Sequence, residues 1–155
     1  MEIIVTHLFS DFDTQNIFKA VSSTAKKLKY RAYLVGGMVR DLFLGKQNFD
    51  IDIVVEGDGI IFAKKLSEIL NAHIDCYEKF KTAVLILKNG YHIDIASSRI
   101  EYYKKPAALP EVEMGSIKQD LARRDFTINT LALSFNKNDF GSILDFFGGR
   151  KDIAA

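Results

Sequence analysis

The sequence predicts an α+β fold in which helices pack on a mixed, largely antiparallel sheet. Two apolar runs, Thr82 to Leu87 and Tyr91 to Ser97, flank the pair Asn89-Gly90, which is a strong signal for a β-hairpin. A hairpin pairs its strands antiparallel, and this argues against a purely parallel, doubly wound sheet. Apolar residues at helical spacing occur before and after the hairpin, so helices are expected to pack on the sheet.

Helices and strands are expected to alternate before the hairpin, with glycines between them. The predicted elements are a helix from Asp13 to Leu28, a strand from Tyr30 to Val35, a helix from Met38 to Leu44, a strand from Phe49 to Val55 and a helix from Ile60 to Leu70. Gly36-Gly37 ends the first strand, and Gly45 ends the second helix as a left-handed residue. The run from Phe49 to Val55 alternates most clearly and is therefore the clearest strand.

The chain after the hairpin is expected to pass from an irregular segment to a helix. Residues 99–116 are polar, contain both prolines and show no periodicity, so they predict a long loop that is functional or mobile. Helical spacing returns from Ile117 to Phe135. A turn at Asn136 to Asp139 then precedes an apolar strand at Ile143 to Phe147.

Length and composition limit the classes of function. The 155 residues fit one domain, and 21 Lys+Arg against 20 Asp+Glu give a net charge of +1. Such a balance argues against a uniform electrostatic grip on nucleic acid, although local basic patches remain compatible with it. The single cysteine, Cys76, excludes an internal disulfide framework. No apolar run of about 18 residues predicts a membrane span, and the N-terminus lacks a signal-peptide pattern, so a cytoplasmic location is expected.

Three acidic residues on predicted strands indicate a metal site. Asp50 and Asp52 alternate with Ile51 and Ile53, so both carboxylates are expected on one face, with Cβ atoms about 7 Å apart. Magnesium suits such a pair, because it takes oxygen ligands and is often completed by substrate phosphates. Asp94 joins them if its strand neighbours theirs, and three acids then suit two-metal phosphoryl transfer. The alternative for each acid is a polar strand residue that faces solvent.

The segment Gly36-Gly37-Met38-Val39-Arg40-Asp41 indicates phosphate binding. A strand runs into two glycines, which let the backbone approach a ligand closely, and a helix then begins whose N-terminal N–H groups favour anions. Arg40 adds a fork of donors that suits phosphate. These features suit a triphosphate, although the segment is neither a Walker A loop nor a dinucleotide-binding fingerprint. The alternative is an ordinary glycine turn with Arg40 and Asp41 as surface charges.

A second cationic segment runs from Asp120 to Asn129. Arg123 and Arg124 suit phosphate, and Asp125 could accept hydrogen bonds from ribose hydroxyls. Asp125 and Asn129 are four residues apart and share a helical face if the helix is continuous. A charged helix start is the alternative, and periodicity alone favours it.

Four motifs occur in the order and spacing of a known family. They are GGMVRD from Gly36, DID from Asp50, RRDFTIN from Arg123 and DFFGG from Asp145. From about residue 33 to residue 152, the chain resembles the head domain of the class II tRNA nucleotidyltransferases (CCA-adding enzymes) and bacterial poly(A) polymerases. The combination of the arginine-rich string with the upstream glycine motif is highly specific.

The resemblance implies a nucleotidyltransferase fold, like the palm of DNA polymerase beta, and a template-independent reaction. CTP or ATP would donate C or A to the 3′ end of a tRNA or another RNA. In this family pattern Asp50 and Asp52 bind Mg²⁺, and Asp94 matches the third catalytic acid less securely. The resemblance implies nucleotide binding by Gly36, Gly37, Arg40, Arg124, Asp125 and Asn129.

The resemblance also implies that residues 1–155 are a single head domain cut from a longer protein. The helical neck of the family, and the body and tail that grip tRNA, would follow Asp152. Two other functions remain open at this point. The nucleotide acceptor is a small molecule or a protein in related folds, and an inactive head would serve as a binding module. Against the inactive head, a competent residue occupies every metal and phosphate position of the motifs.

Overall fold

The computed structural model describes residues 12–46, 48–102 and 111–155, and it confirms the mixed α+β fold. The elements in chain order are α1 (Phe12–Leu28), β1 (Arg31–Val35), α2 (Gly37–Phe43), β2 (Ile51–Glu56), α3 (Gly59–Leu70), β3 (His73–Tyr77), β4 (Thr82–Ile86), β5 (His92–Ser97), β6 (Arg99–Tyr102), β7 (Glu111–Met114), α4 (Ile117–Ala122), β8 (Ala132–Ser134), β9 (Ile143–Leu144) and α5 (Gly149–Ala154). No helix within the described ranges is long and apolar enough to cross a membrane.

Seven strands form one sheet in the order β3-β4-β5-β2-β1-β8-β9. Every neighbouring pair is antiparallel except β2 and β5, which run parallel. The predicted hairpin is confirmed, because β4 and β5 pair antiparallel on either side of Gly90, whose φ is 92°. β6 and β7 form a separate two-stranded sheet. The parallel pair brings the middle of β2 beside the middle of β5 at the centre of the main sheet.

The two faces of the sheet are covered unequally. On one face α1 and α3 bury the larger core, whose fully buried aromatic rings include Phe18, Phe62 and Phe135. On the other face the smaller cluster contains Ile117 and Leu121 of α4, packed with residues of β1, β2 and β8. Side chains of β3, β4 and β5 on this second face stay partly exposed, so half of the face is accessible to a ligand.

Side-chain caps fix the starts of two helices. The Asp58 carboxylate accepts hydrogen bonds from the backbone N–H groups of Ile60 and Ile61, at 2.9 and 3.1 Å, and so begins α3. Ser116 and Gln119 form a reciprocal capping box at the start of α4. Gly45 follows α2 with a φ of +67°, as the sequence predicts.

The predicted helix from Ile117 to Phe135 is wrong beyond Ala122. α4 ends there, a 3-10 turn follows at Thr127–Asn129, and β8 extends the sheet beside β1. The run from residue 131 to residue 133 is fully buried, and an apolar run buried on both sides suits a strand as well as a helix. Pairing with β1 decides for the strand, so Asp125 and Asn129 do not share the face of a continuous helix.

The predicted loop at residues 99–116 is also wrong at both ends. β6 and β7 pair there from Arg99 opposite Met114 to Tyr102 opposite Glu111, and residues 103–110 lie outside the described residues. Apolar and charged residues alternate in both four-residue runs, which is a strand signal too short to stand out from its polar surroundings.

Three further strand predictions need correction. β3 has no counterpart in the sequence prediction, because it is an edge strand whose residues are exposed or half-buried. β9 covers only Ile143–Leu144, since the chain leaves the sheet at Asp145. β2 begins at Ile51, which leaves Phe49 outside the strand with 53% of its surface exposed.

Candidate active site

Asp52 and Asp94 lie side by side at the centre of the sheet. Their Cα atoms are register partners in the parallel pairing of β2 with β5, so both side chains project from the same face. The residues that flank them, Ile51, Ile53, Ile93 and Ile95, are each at most 1% exposed. The isoleucines therefore anchor both strands in the larger core, and this fixes the two carboxylates on the accessible face.

Asp50 stands slightly apart from this pair. It precedes β2 and is exposed, so the expectation that it shares one strand with Asp52 is wrong by one residue. Its backbone N–H donates to Oδ1 of Asn48 at 2.9 Å. Within the described ranges, no three His, Cys, Asp or Glu side chains are grouped so as to hold a metal ion. A cation between these acids would need water or phosphate oxygens as well, which is how Mg²⁺ is usually bound.

The electrostatics of the acids favour such a cation. The pKa of Asp52 is raised to about 6, first by burial, then by the charge of Asp94 and a hydrogen bond shared with it. Arg124 opposes this rise in pKa, and Asp50 adds to it. Two adjacent carboxylates cannot both ionise cheaply without a positive charge between them. The carboxylate oxygens of these neighbouring acids are hard ligands whose repulsion a cation would relieve, and they therefore suit a divalent cation such as Mg²⁺.

We expect Asp52→Asn to stabilise the chain at pH 8 in EDTA. The pKa of Asp52 in the folded chain lies above its ordinary value of 3.8. Protonated Asp52 therefore contributes folding stability that is fully present below about pH 4 and is lost as the pH rises through about 6. The amide of asparagine does not ionise and so avoids the cost of a buried negative charge. Its advantage should therefore be about 1–2 kcal/mol at pH 8, after allowance for solvent screening. Thermal unfolding at pH 8 and pH 4 measures this, and an equal gain at both pH values would contradict the cause.

Gly36 brings bare backbone against Asp52. Its φ of 79° and ψ of −150° lie in a region that essentially only glycine occupies. A Cβ atom there would be 3.1 Å from Oδ2 of Asp52. A Cβ atom on Gly37 would be 3.2 Å from Nη2 of Arg40. The two glycines thus leave open a space between an acid and a guanidinium group.

Arg40 is held by a short hydrogen-bond network. Its Nε donates to Oδ1 of Asp41 at 2.9 Å, and its Nη1 donates to Oδ1 of Asn129 at 3.1 Å. Asn48 donates from Nδ2 to Oδ2 of Asp41 at 2.8 Å. The hydrogen bonds from Arg40 and then Asn48 lower the pKa of Asp41. Asp41 is buried, so the alternative that it is a surface charge is wrong, and it orients Arg40 instead.

Arg124 is positioned by a buried acid. Oδ2 of Asp120, a residue 1% exposed, lies 3.6 Å from Nη2 of Arg124, and its Oδ1 lies 3.5 Å from Nη2 of Arg123. The Nε atom of Arg124 is buried and has no hydrogen-bond partner within the described part of the chain. The acid therefore holds Arg124 beside Asp52 with donor capacity to spare.

These residues line a cleft of about 460 Å³. Its lining residues are Gly36, Gly37, Arg40, Asp52, Arg123, Arg124, Asp125, Phe126 and Asn129. The cleft contains all six residues for which the family resemblance implies nucleotide binding, together with Asp52. Asp94 lines a neighbouring cleft that shares Asp52 and Arg124, and Asp50 lines a third one beside Phe49.

The sequence prediction missed three supporting residues, namely Asp41, Asn48 and Asp120. The separation of four residues between Asp120 and Arg124 is a detectable signal for an ion pair on a helix. Asn48 gives no such signal, because its contact with Asp41 depends on the path that the chain takes between α2 and β2.

The DFFGG motif has a local structural role. Oδ1 of Asp145 accepts a hydrogen bond from the backbone N–H of Gly149 at 2.8 Å.

The chain is similar to proteins of known activity. The sequence model of the family described as the poly A polymerase head domain matches residues 32–155. An A-adding tRNA nucleotidyltransferase of Geobacter sulfurreducens is 46% identical over 140 residues, which are 90% of this chain and 16% of that protein. The chain thus spans about a sixth of the length of that relative.

Solved structures share the fold at comparable identity. The Thermotoga maritima CCA-adding enzyme complexed with tRNA superposes with a TM-score of 0.81 at 40% identity, over 97% of this chain and 34% of that one. A CCA-adding enzyme complexed with CTP superposes with a TM-score of 0.82 at 42% identity, over 97% and 35% of the two chains. The predicted nucleotidyltransferase fold is therefore confirmed.

Proposed function

The chain belongs to the poly A polymerase head-domain family, and from that premise we propose that it is the catalytic head of a template-independent RNA nucleotidyltransferase. The enzyme would transfer C, A or both from CTP and ATP to the 3′ end of a tRNA. The supporting relatives carry tRNA nucleotidyltransferase names, and similar structures hold tRNA or CTP. Since these relatives are several-fold longer, we also propose that residues 1–155 are one domain of a longer protein.

One observation carries the proposal: a cleft with three arginines and two adjacent glycines also includes Asp52 of β2, which lies beside Asp94 of β5. Arg40 and Arg124 supply forked donors for phosphate oxygens, and the glycines admit a triphosphate close to the backbone. Asp125 is exposed in the same cleft, where its carboxylate can accept hydrogen bonds from a ribose.

The donor set also fits the metal of such a reaction. Asp50 and Asp52 would hold Mg²⁺, and its charge would offset their repulsion. When bound, Mg²⁺ would neutralise the triphosphate and favour the ionised form of the attacking hydroxyl.

The residues of this chain would then align the two substrates. The 3′ hydroxyl oxygen of the RNA attacks the α-phosphorus, and the bond from that phosphorus to the pyrophosphate oxygen breaks. Asp94 would accept the hydroxyl proton, because its carboxylate adjoins Asp52. Arg40 and Arg124 would stabilise the charge that moves onto pyrophosphate. Asp41 and Asp120 would act by holding those arginines in place.

The full-length protein should incorporate labelled ATP or CTP into tRNA in the presence of Mg²⁺, and EDTA should stop the incorporation. Transcripts that end before the CCA, after its first C and after its second C identify the nucleotide that is added. A protein mixture in place of tRNA tests the alternative acceptor. Labelling of protein alone would refute an RNA acceptor.

Poly(A) synthesis is the second candidate, because the family description names it. A poly(A) polymerase would extend an RNA by many A residues and would not require a tRNA. In the same assay, the length of product on an unstructured RNA separates the two activities.

A further inference from the structure

A second cleft, of about 390 Å³, adjoins the nucleotide cleft and shares Asp52 and Arg124 with it. It lies on the second sheet face beside the smaller core cluster, two residues of which, Val35 and Val54, also line it. Asp94 forms part of its wall. A transferase with two substrates needs a second site that meets the first at the reacting atoms. These two clefts meet at Asp52, which lines both of them.

The strand register arranges the side chains of the second cleft in two rows. Cross-strand partners place Asp52, Asp94 and Val84 in one row, and Val54, Ala96, Thr82 and Tyr77 in the next. Ala96 and Thr82 have short side chains, so the floor of the cleft is low at its middle and is largely apolar. Tyr77 is 51% exposed and stands two strand spacings, about 10 Å, from β5.

We propose that this cleft seats the terminal nucleoside of the acceptor RNA, with its base against the Tyr77 ring and its 3′ hydroxyl at Asp94. This rests on the proposed function, of which it names the acceptor subsite. A nucleoside matches the cleft chemically, because it has a flat apolar base at one end and a hydroxyl at the other. Stacking on an aromatic ring accepts any base, which suits an end that changes identity with each addition. Arg124 lies where it can neutralise phosphate from either side.

The test compares wild-type and Tyr77→Ala full-length protein in steady-state addition to a tRNA. We expect the KM for RNA to rise about 5- to 50-fold, as for other lost base–aromatic stacks, while the KM for the nucleotide stays within about twofold. Tyr77→Phe, which keeps the ring, should restore the wild-type value. Tyr77 lies at the end of an edge strand, so its truncation should leave the fold intact. Tyr77→Leu replaces the alanine variant if that variant melts early.

A tRNA whose terminal residue lacks its base gives a sharper readout. If Tyr77 stacks on that base, the two losses share one interaction, and the double change should cost little more than either single one. Phe12→Ala, which truncates another exposed aromatic at the far helix α1, is the matched control and should change neither KM.

Three results would overturn the acceptor assignment while the wild-type enzyme still adds nucleotides. These are an unchanged KM for RNA in Tyr77→Ala, additive losses in the double change, and a larger rise for Phe49→Ala. Phe49 pairs with Tyr91 edge-to-face at 6.0 Å in the third cleft, and the last result would place the acceptor there. Failure of the proposed function differs from all three, because the wild-type protein itself would then add no nucleotide to RNA.

Discussion

Replacing Asp52 by alanine should reduce nucleotide addition by the full-length enzyme about 10³-fold or more. Asp52 lines both clefts, adjoins Asp94 and lies beside Gly36, so it lies where the two proposed substrate sites meet. Its loss removes a carboxylate that would hold Mg²⁺ next to the triphosphate, where the cation would offset the negative charge of the phosphates. Single-turnover incorporation of labelled ATP or CTP into tRNA measures the loss.

The fold should survive this change, because the Asp52 carboxylate is destabilising in the absence of a cation. Asp75→Ala is the matched control. Asp75 is an exposed acid on β3 and pairs in register with Val84, but it lines none of the three clefts described above. It should keep wild-type turnover. Near-normal turnover in Asp52→Ala would remove this residue from the metal site and with it the proposed chemistry.

Local patterns predict those parts of the fold that depend on neighbouring residues. The helix α1 and the hairpin of β4 and β5 follow from periodicity and from Asn89-Gly90. The segment from residue 123 to residue 135 does not, because its structure is decided by pairing with β1, a hundred residues earlier. The edge strand β3 escapes prediction for a different reason: none of its five residues is fully buried, so it contains no strongly apolar run.

The candidate site is predictable to a similar extent. The acids, the glycines and Arg40 occur in short motifs, and the sequence identifies them. The meeting of Asp52 with Asp94 depends on a parallel register that no local pattern encodes. No sequence pattern predicts a role for Asn48, because its amide affects Arg40 only through its hydrogen bond to Asp41. The chemistry of the site is thus local in sequence, whereas its geometry depends on the tertiary fold.

Gly36→Ala should lower nucleotide addition about 10-fold and destabilise the chain by about 1–3 kcal/mol. The loss of stability comes from the backbone, since a residue with a Cβ atom is strained at the φ and ψ of Gly36. The loss of activity comes from the Cβ itself, which would be 3.1 Å from Oδ2 of Asp52. Either Asp52 or the turn must give by a few tenths of an ångström. Because a misplacement of 1 Å at a reacting centre costs about 10²-fold in rate, a shift of this size should cost about 10-fold.

Two other glycines separate these causes. Gly45 also has a positive φ, of 67°, but a Cβ there would meet nothing within 4 Å, so Gly45→Ala should lose stability and keep its activity. In Gly37→Ala the Cβ would meet the flexible end of Arg40 at 3.2 Å, so the KM for the nucleotide should rise while Asp52 stays in place. Thermal melts and steady-state kinetics of the three variants measure both effects. If Gly36→Ala and Gly45→Ala lose activity equally, backbone strain alone explains the effect, and the contact between the glycine turn and Asp52 has no role in the reaction.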